Sequence, residues 1–306
     1  TNKEQALLAR GKLSTQQIAN RLLLRTVMTQ AGFFWIGNEW WRFNSEIKAY
    51  IRKEYEIKEY TNVIKLDTSV SCSTIPAGLH RLVEAYPDIL ADALDNNLIW
   101  KDGTRMVYDD GQEKTFEELL NCADLEDQMR QAYPDGQQFC HPDINFDPGR
   151  IRYEPFFKKM YGATKEEVEE NLTEIVWLPE SKAKQILRVT KVNGVDSLLQ
   201  AISNELDTLH ELYQFVNKPA GTFVFRNILG TSRMSMHSFG IALDINIDQA
   251  EYWRWTNFSE NDTLRCKNNI PFRLVEIFER RGFIWGGRWY HFDTMHFEYR
   301  PELFAN

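Results

Sequence analysis

Two short stretches in the last quarter of the chain carry side chains that can hold a metal ion. The first reads SMHSFGIALDIN and contains His237 and Asp244, and the second reads DTMHFEYRPEL and contains Asp293 and His296. Asp244 stands in an apolar run, where a carboxylate needs a charged partner, a shell of hydrogen bonds or a metal, because burying it alone is costly. Two imidazoles and one carboxylate are the donor set of a catalytic zinc site, which keeps its fourth position for water.

The backbone must bring these side chains together. If GIALDIN is a strand, Gly240, Ala242 and Asp244 share one face, because side chains alternate along a strand. That face is small apart from the carboxylate, which leaves room for a metal and a peptide. Asp293 and His296 would point to opposite faces of a regular strand, so a bend between them is needed for both to reach one metal.

The surrounding elements are predicted from apolar periodicity. Helical patterns occur over residues 79–94, 115–133 and 195–215. TFVFR and GIALDIN have the composition of strands, and IPFRLVEIFERRG that of a helix that Gly282 ends. Helices and strands mix without a βαβ rhythm, so we predict an α+β fold with a small antiparallel sheet flanked by helices.

A change to polar, turn-rich sequence over residues 60–75 indicates a boundary. We predict an N-terminal helical segment over residues 1–65 and a main domain after it. The main domain has a helical N-terminal part, residues 66–194, and a catalytic core, residues 195–306.

The bulk composition limits the classes of function. The net charge of -8 and the pI of about 5.4 argue against a nucleic-acid-binding surface, which needs a basic stripe. The sequence has no apolar stretch of about 20 residues, so it predicts no membrane span. The start TNKEQALLARGK lacks the apolar stretch of a signal peptide. The four cysteines form no C-x-x-C pair, so a zinc knuckle is not expected, and they fit either one or two disulfides or free thiols.

The two stretches resemble a known family. The pattern S-x-H-x-x-G-x-A-x-D from Ser235 to Asp244, followed by D-x-x-H from Asp293 to His296, resembles the zinc peptidases of peptidoglycan. These are the D-Ala-D-Ala carboxypeptidases and dipeptidases and the L-Ala-D-Glu endopeptidases. The ending GFIWGGRWYHFDTMHFEY is similar to the endopeptidase branch in particular. The resemblance is close over residues 195–303 and looser over residues 75–195.

The resemblance implies a role for each residue of the two motifs. His237, Asp244 and His296 would bind Zn²⁺, and Asp293 would be the general base. Zinc lowers the pKa of its bound water to about 7, and a carboxylate beside it takes the proton as the water attacks the amide carbon. Arg226 matches the upstream arginine that the family uses to stabilise the oxyanion.

Several residues keep more than one interpretation. Arg233 is nearer in sequence and is the rival of Arg226. Ser235 would bond one end of the substrate or orient the first histidine. Trp289 would stack on a sugar ring of the substrate or form a wall of the core. His291 would replace His296 as a ligand, support the site from behind, donate a proton, or belong to an aromatic cluster.

The resemblance implies the zinc D-Ala-D-Ala peptidase (hedgehog/DD-peptidase) fold and a zinc metallopeptidase that cleaves peptidoglycan stem peptides. The W-G-G stretch favours an L-Ala-D-Glu endopeptidase. The alternatives are a D-Ala-D-Ala carboxypeptidase or dipeptidase, and a non-catalytic cell-wall-binding protein on the same fold. Because its substrate lies outside the cytoplasmic membrane, we expect a periplasmic or secreted protein whose signal peptide has been removed.

The front of the chain contains a second, incomplete motif. Residues 14–44 resemble the C-terminal end of a D-Ala-D-Ala dipeptidase, in which a helix leads to Glu-x-Trp-His. Glu39, Trp40 and Trp41 match, but Arg42 replaces the histidine, and a protonated guanidinium cannot bind zinc. We interpret the segment as a degenerate peptidase remnant, or alternatively as a helix and strand that pack on the main domain, and assign no catalysis to Glu39.

Overall fold

The computed structural model describes residues 75–136, 142–256 and 264–304. The predicted N-terminal segment, residues 1–65, lies outside the described residues, and so do Glu39, Cys72 and Cys140. Cys122 and Cys266 are free thiols. Among the described residues, no helix has the length and apolar character that crossing a membrane requires.

Eight α-helices occur in the described residues: α1 (Ala77–Ala85), α2 (Phe116–Cys122), α3 (Leu125–Met129), α4 (Glu154–Tyr161), α5 (Lys165–Glu170), α6 (Val195–Asp207), α7 (Tyr213–Val216) and α8 (Phe272–Glu279). Nine strands accompany them: β1 (Leu90–Leu94), β2 (Asn97–Trp100), β3 (Arg105–Val107), β4 (Leu172–Trp177), β5 (Gln185–Thr190), β6 (Pro219–Gly221), β7 (Ala242–Asn246), β8 (Phe283–Trp285) and β9 (His296–Tyr299).

The strands form three antiparallel sheets, with orders β1-β2-β3, β4-β5 and β6-β7-β9-β8. The prediction of an α+β fold with a small antiparallel sheet is confirmed at this coarse level. The four-stranded sheet carries Asp244 and His296, two of the three predicted ligands, and its central pair, β7 and β9, has one register throughout. A fixed register matters because a slip by one residue turns every side chain to the other face.

Four predicted elements differ from the observed ones. The single helix predicted over residues 195–215 ends at Asp207, and a separate short helix, α7, begins at Tyr213. The helix predicted over residues 79–94 ends at Ala85. Pro87 follows, and a proline disfavours helical backbone at the residue before it. Leu90–Leu94, also predicted to be helical, form β1 instead. The helical pattern over 115–133 is two helices, and Asp124 between them caps the second. TFVFR forms no strand, since β6 ends at Gly221.

The sheet that carries the ligands is packed from behind by α8. Leu274, Val275 and Phe278 of this helix are buried, and Phe278 stacks on Phe297 of β9 with ring centroids 4.0 Å apart. Burying one such side chain stabilises the fold by about 2–3 kcal/mol. The same core extends to α1 and the β1–β3 sheet, so residues on both sides of position 195 share it.

Candidate metal centre

The register of the central strand pair brings two predicted ligands together. Asp244 on β7 and His296 on β9 are direct cross-strand partners, and Oδ1 of Asp244 lies 3.0 Å from Nδ1 of His296. The other carboxylate oxygen, Oδ2, lies 3.2 Å from Nε2 of His237. Each of the three residues therefore offers one ligand atom, and these atoms lie within 4.8 Å of one another.

His237 is held by a tight 3-10 turn that precedes β7. Ser235 begins this turn, and its Oγ accepts a hydrogen bond from the backbone N–H of His237 at 3.4 Å. Gly240 ends the turn with φ +67°, and a Cβ there would lie 2.7 Å from a side-chain atom of β4. The expectation that Gly240 shares a strand face with Asp244 is wrong, because β7 begins at Ala242. The glycine serves the turn and its packing instead.

The second ring nitrogen of each histidine already has a partner. Nδ1 of His237 lies 2.7 Å from the carbonyl oxygen of Thr222, and Nε2 of His296 lies 3.0 Å from Oε2 of Glu298. A ring nitrogen that faces a carbonyl or carboxylate oxygen carries the proton, so the other nitrogen keeps its lone pair for a metal. The network therefore assigns Nε2 of His237 and Nδ1 of His296 as the ligand atoms.

This geometry fits a zinc ion. Zinc bonds of about 2.0–2.2 Å at tetrahedral angles separate neighbouring ligand atoms by about 3.3 Å. The separations of 3.2 Å and 3.0 Å between the Asp244 carboxylate and the two imidazoles are close to that value. Two imidazoles and one carboxylate are also donors that suit zinc, and three protein ligands leave one position open.

The pKa values of two candidate ligands, His296 and Asp244, are strongly shifted. Burial opposes the charged form of His296, but its hydrogen bonds to Asp244 and Glu298 raise its pKa to about 10. Burial also opposes the charge of Asp244, yet the neighbouring His237 and His296 hold the pKa of this carboxyl well below its usual range. Without a metal, the cluster is thus a carboxylate bound between imidazoles, and a proton occupies the position that a cation would take.

Asp293 lies in the turn just before β9, which supplies the expected bend. The backbone N–H of Asp293 donates to the carbonyl of Gly286 at 3.0 Å, and that of His296 donates to the carbonyl of Asp293 at 3.2 Å. A Cβ on Gly286 would lie 2.5 Å from the same Asp293 carbonyl oxygen. The indole N–H of Trp285 donates to the carbonyl of Thr294 at 2.9 Å. The W-G-G stretch therefore fixes the turn that carries Asp293.

The Asp293 carboxylate has an unsatisfied oxygen. Within the described residues, its Oδ1 is buried and has no hydrogen-bond partner. Burial raises the pKa of Asp293 to about 6; positive His296 opposes this rise, and the negative charge of Asp244 adds to it. A carboxyl group with a pKa close to the working pH is well suited to take up and release a proton.

Behind His296 lies a chain of buried charges that the sequence analysis did not identify. Oε2 of Glu298 lies 2.7 Å from Arg152, and Oε1 lies 3.0 Å from Arg300. Arg300 in turn lies 2.6 Å from Glu302. Burial opposes the charge of Glu298, but Arg152 and the bond from His296 lower its pKa to about 2. The signal in the sequence was the alternation H-x-E that opens HFEYRPE, since His296 and Glu298 share one face of β9.

His291 contacts a different carboxylate. Its Nδ1 lies 2.6 Å from Oδ2 of Asp147, which also binds Arg150 at 2.9 Å. The His291 ring stacks on Phe116 at 6.1 Å and meets Trp253 edge-on at 4.9 Å. Of the four interpretations, this arrangement fits the aromatic cluster, with an added hydrogen bond to the Asp147 carboxylate.

Within the described residues, no hydrogen bond or ion pair joins the Arg226 side chain to the candidate ligands. Its side chain is exposed, and its Nη1 contacts the carbonyl oxygen of the neighbouring Asn227 at 3.4 Å. The preference for Arg226 over Arg233 relied on TFVFR as a strand, and that strand does not form. Arg150 is the arginine whose charge acts on Asp293.

Trp289 is 5% exposed. Its indole N–H donates to the carbonyl of Pro148 at 2.6 Å, and its ring lies 5.6 Å from the ring of His296. In this position Trp289 supports a predicted zinc ligand and offers no free face for a sugar ring. Trp255, by contrast, is 57% exposed.

Two other groups of acidic residues are close enough to hold a cation, and both include Asp124. The ammonium of Lys114 already lies there, 2.6 Å from Asp127, 2.9 Å from Asp110 and 3.3 Å from Asp124. A lysine that neutralises the carboxylates makes these groups structural ion pairs. The histidine-containing cluster is therefore the candidate metal centre.

Comparison with known proteins agrees with this assignment. The family model described as D-alanyl-D-alanine carboxypeptidase matches residues 229–299, a range that contains the three candidate ligands and Asp293. Comparison with curated proteins and with solved structures gave no match. The family match supports a zinc peptidase domain of the kind that acts on peptidoglycan-related substrates.

Proposed function

We propose that this chain is a zinc-dependent peptidase that cleaves an amide bond in peptidoglycan stem peptides, as an L-Ala-D-Glu endopeptidase. One observation carries the proposal. His237, Asp244 and His296 converge with zinc-ligand spacing beside Asp293, a carboxyl group whose buried oxygen has no partner among the described residues.

Each residue of the candidate site has a distinct role in this proposal. Nε2 of His237, Nδ1 of His296 and Asp244 would hold the metal, and the partners of the two remaining ring nitrogens fix the orientation of each imidazole. Zinc, when bound, supplies Lewis acidity that acidifies a water and polarises the scissile carbonyl. Asp293 would accept the proton of the attacking water and pass it to the leaving amine.

The protonation state of Asp293 suits this role. With a pKa of about 6, it is ionised at neutral pH and can accept a proton. It is also basic enough to hold that proton until the leaving amine needs it, which an ordinary aspartate with a pKa of 3.8 does less well. A protein that only binds cell wall needs no such base, so Asp293 favours an enzyme over a binding module.

The endopeptidase assignment is supported by the similarity of GFIWGGRWYHFDTMHFEY to that branch. The description of the matching family model favours the second candidate, a D-Ala-D-Ala carboxypeptidase. Both reactions use the same ligands and base, and they differ in the walls of the cleft. A substrate of either kind would be met outside the cytoplasmic membrane, so we propose a periplasmic or secreted protein.

The test is a digest of purified muropeptides with zinc-loaded protein, read by mass spectrometry. Products cut between L-Ala and D-Glu would support the endopeptidase, and loss of the terminal D-Ala would support the carboxypeptidase. His237→Ala should lose both the metal and the cleavage. His210→Ala is the matched control, because His210 is exposed and outside the cluster, and it should keep both. Intact muropeptides after treatment with fully zinc-loaded wild-type protein would overturn the proposal.

A further inference from the structure

A cavity of about 250 Å³ is lined by three arginines, Arg150, Arg152 and Arg233, and by Met236, which directly precedes the candidate ligand His237. Glu154 is the one carboxylate in its lining. That carboxylate is already engaged, since Oε1 lies 2.6 Å from Lys158 and Oε2 accepts the backbone N–H of Met234 at 3.0 Å. The cavity is therefore cationic, with more donors than acceptors.

The three arginines differ in how their charges are balanced. Arg150 is paired with Asp147 at 2.9 Å, and Arg152 with Glu298 at 2.7 Å. Within the part of the chain that the structure describes, Arg233 has no ion pair, and its Nε is buried without a hydrogen-bond partner. Burial and the like charge of Arg150 lower the pKa of Arg233. Arg233 is thus the one member of the trio whose charge is not balanced in the described structure.

A structural role does not explain Arg233. A partly buried cation next to another cation costs free energy unless an anion joins it. The backbone of Arg233 forms the turn, since its carbonyl accepts the N–H of Ile228 at 2.8 Å, and this contact needs no guanidinium. The side chain is held where no described residue balances its charge, as expected for a group that awaits a charged ligand.

The cavity is connected to the candidate metal centre on two sides. Arg152 binds the same Glu298 oxygen that His296 binds. Arg150 acts on the charge of Asp293. In sequence, Arg233 lies four positions before His237. The cavity lining and the candidate metal centre are therefore linked through Glu298, through the charge of Arg150 on Asp293, and along the chain from Arg233 to His237.

We propose that this cavity is a subsite for a carboxylate of the substrate, with Arg233 as its principal contact and Arg150 beside it. The inference builds on the proposed function, because it takes the substrate to be a peptide cut at the metal centre. It adds that a free carboxylate must lie close to the scissile amide. A planar guanidinium suits this ligand, since it donates two parallel hydrogen bonds to the two carboxylate oxygens.

Two carboxylates of a stem peptide have the required chemistry: the free carboxylate of the D-Glu residue and that of the C-terminal residue. The test uses three synthetic peptides that contain L-Ala-D-Glu. One has both carboxylates free, one has the D-Glu carboxylate replaced by a carboxamide, and one has a C-terminal carboxamide. The ratio of kcat/KM values between peptides is measured for zinc-loaded wild type, Arg233→Gln and Arg233→Lys.

We expect wild type to lose on the order of tenfold to a hundredfold in kcat/KM on one of the two amidated peptides, the size of a charge-assisted hydrogen bond. That peptide identifies which carboxylate is bound. Arg233→Gln should cut the free and the amidated peptide equally, and Arg233→Lys should keep part of the preference. Arg273→Gln is the control, because Arg273 is exposed, pairs with Glu211 and does not line the cavity. Its ratio of kcat/KM between the free and the amidated peptides should equal that of wild type.

Folding is checked separately, by thermal unfolding of the ligand-free protein. Arg233→Gln should unfold at the same temperature as wild type or higher, because it removes an unbalanced cation. A lower unfolding temperature would give Arg233 a structural role and overturn its assignment as a ligand contact.

Two further outcomes separate the subsite from the proposed function. If wild type cuts all three peptides equally, the carboxylate subsite is overturned while the peptidase stands. If wild type cuts none of them, the proposed function fails, and calorimetric titration of the uncut free-carboxylate peptide decides the subsite. Binding that Arg233→Gln loses supports it, and equal or absent binding overturns it.

Discussion

Oε2 of Glu298 is shared between His296, at 3.0 Å, and Arg152, at 2.7 Å. The carboxylate is completely buried. One side of it fixes the ring orientation of a candidate zinc ligand, and the other side is neutralised by a guanidinium. This arrangement makes the ligand more basic while the local charge stays balanced.

Replacing Glu298 should weaken the metal site without removing a ligand. Glu298→Gln keeps the shape but removes the charge, so we expect zinc affinity to fall by about tenfold to a hundredfold. We also expect lower stability, because Arg152 and Arg300 lose their anionic partner. Competition with a chelator measures the affinity. Glu174→Gln, at an exposed strand position, should match wild type, and unchanged zinc affinity in Glu298→Gln would contradict this role.

Zinc binding should release a proton from His296. In the metal-free protein its pKa is raised from 6.5 to about 10, so it is protonated at pH 7 and a metal must displace that proton. Zinc affinity should therefore increase by about tenfold for each unit by which the pH rises towards 10. The raised pKa also stabilises the metal-free fold below pH 6.5, and this contribution is lost as the pH rises towards 10. Calorimetric titrations in buffers of different ionisation enthalpy count the released protons, and none released at pH 7 would refute the assignment.

Asp293 should set the acid limb of the activity profile. Because a general base must be ionised, kcat/KM should fall by about tenfold for each pH unit below 6. Asp293→Asn should lower kcat by about 100-fold to 10,000-fold and keep its zinc. A profile that stays flat down to pH 4.5, or an Asp293→Asn protein that has lost its zinc, would exclude Asp293 as the base.

Ionised Asp293 should destabilise the metal-free protein at neutral pH. The pKa of Asp293 is raised on folding, so its contribution is most favourable at low pH and is lost as the pH rises through 6. At pH 7 we expect Asp293→Asn to stabilise the metal-free protein by about 1–3 kcal/mol. Denaturant unfolding at pH 4 and pH 7 measures this; the gain should be smaller at pH 4.

Gly286 should be needed for catalysis more than for metal binding. A Cβ there would lie 2.5 Å from the backbone oxygen of Asp293, and a backbone atom cannot move away cheaply. Gly286→Ala should therefore displace the turn that carries Asp293, lowering kcat by at least about tenfold, at a cost of about 1–3 kcal/mol in stability. Elemental analysis should still find one zinc per chain. Wild-type kcat in Gly286→Ala would mean that the turn does not position the base.

The positive partner of the oxyanion can be identified by comparing Arg150 with Arg226. The charge of Arg150 acts on Asp293, and Asp147 fixes its position, whereas Arg226 is exposed. We expect Arg150→Gln to lower kcat by about 100-fold, the loss typical of an oxyanion donor, and Arg226→Gln to lower it by less than tenfold. The opposite order would assign the role to Arg226.

The candidate ligands could be predicted from the sequence because each motif is local to one turn and the strand that follows it. His237 and Asp244 belong to one turn and the strand after it, and Asp293 and His296 to another turn and strand. Periodicity and motif spacing report such local geometry well. Pairing of β7 with β9 then brings Asp244 and His296 together, a contact that the sequence analysis did not predict.

The supports of the site come from far along the chain, which is why the sequence did not reveal them. Arg152 reaches Glu298 across 146 positions, and Asp147 reaches His291 across 144. Nothing local distinguishes these arginines and aspartates from solvated surface charges, since their role depends on which distant segment packs against them. The same limit applies to β4 and β5, a hairpin that periodicity did not predict and that packs against Gly240.

The cross-strand pairing of Asp244 with His296 also bears on how the sheet assembles. The two residues are 52 positions apart, so a metal that binds both ties the ends of a long loop and favours one strand alignment over all shifted ones. The bound metal thus fixes the register of β7 against β9, and its binding free energy also stabilises the folded sheet. Amide hydrogen exchange at Leu243 and Phe297, in the central strand pair, should slow when zinc is added, well before any substrate is present.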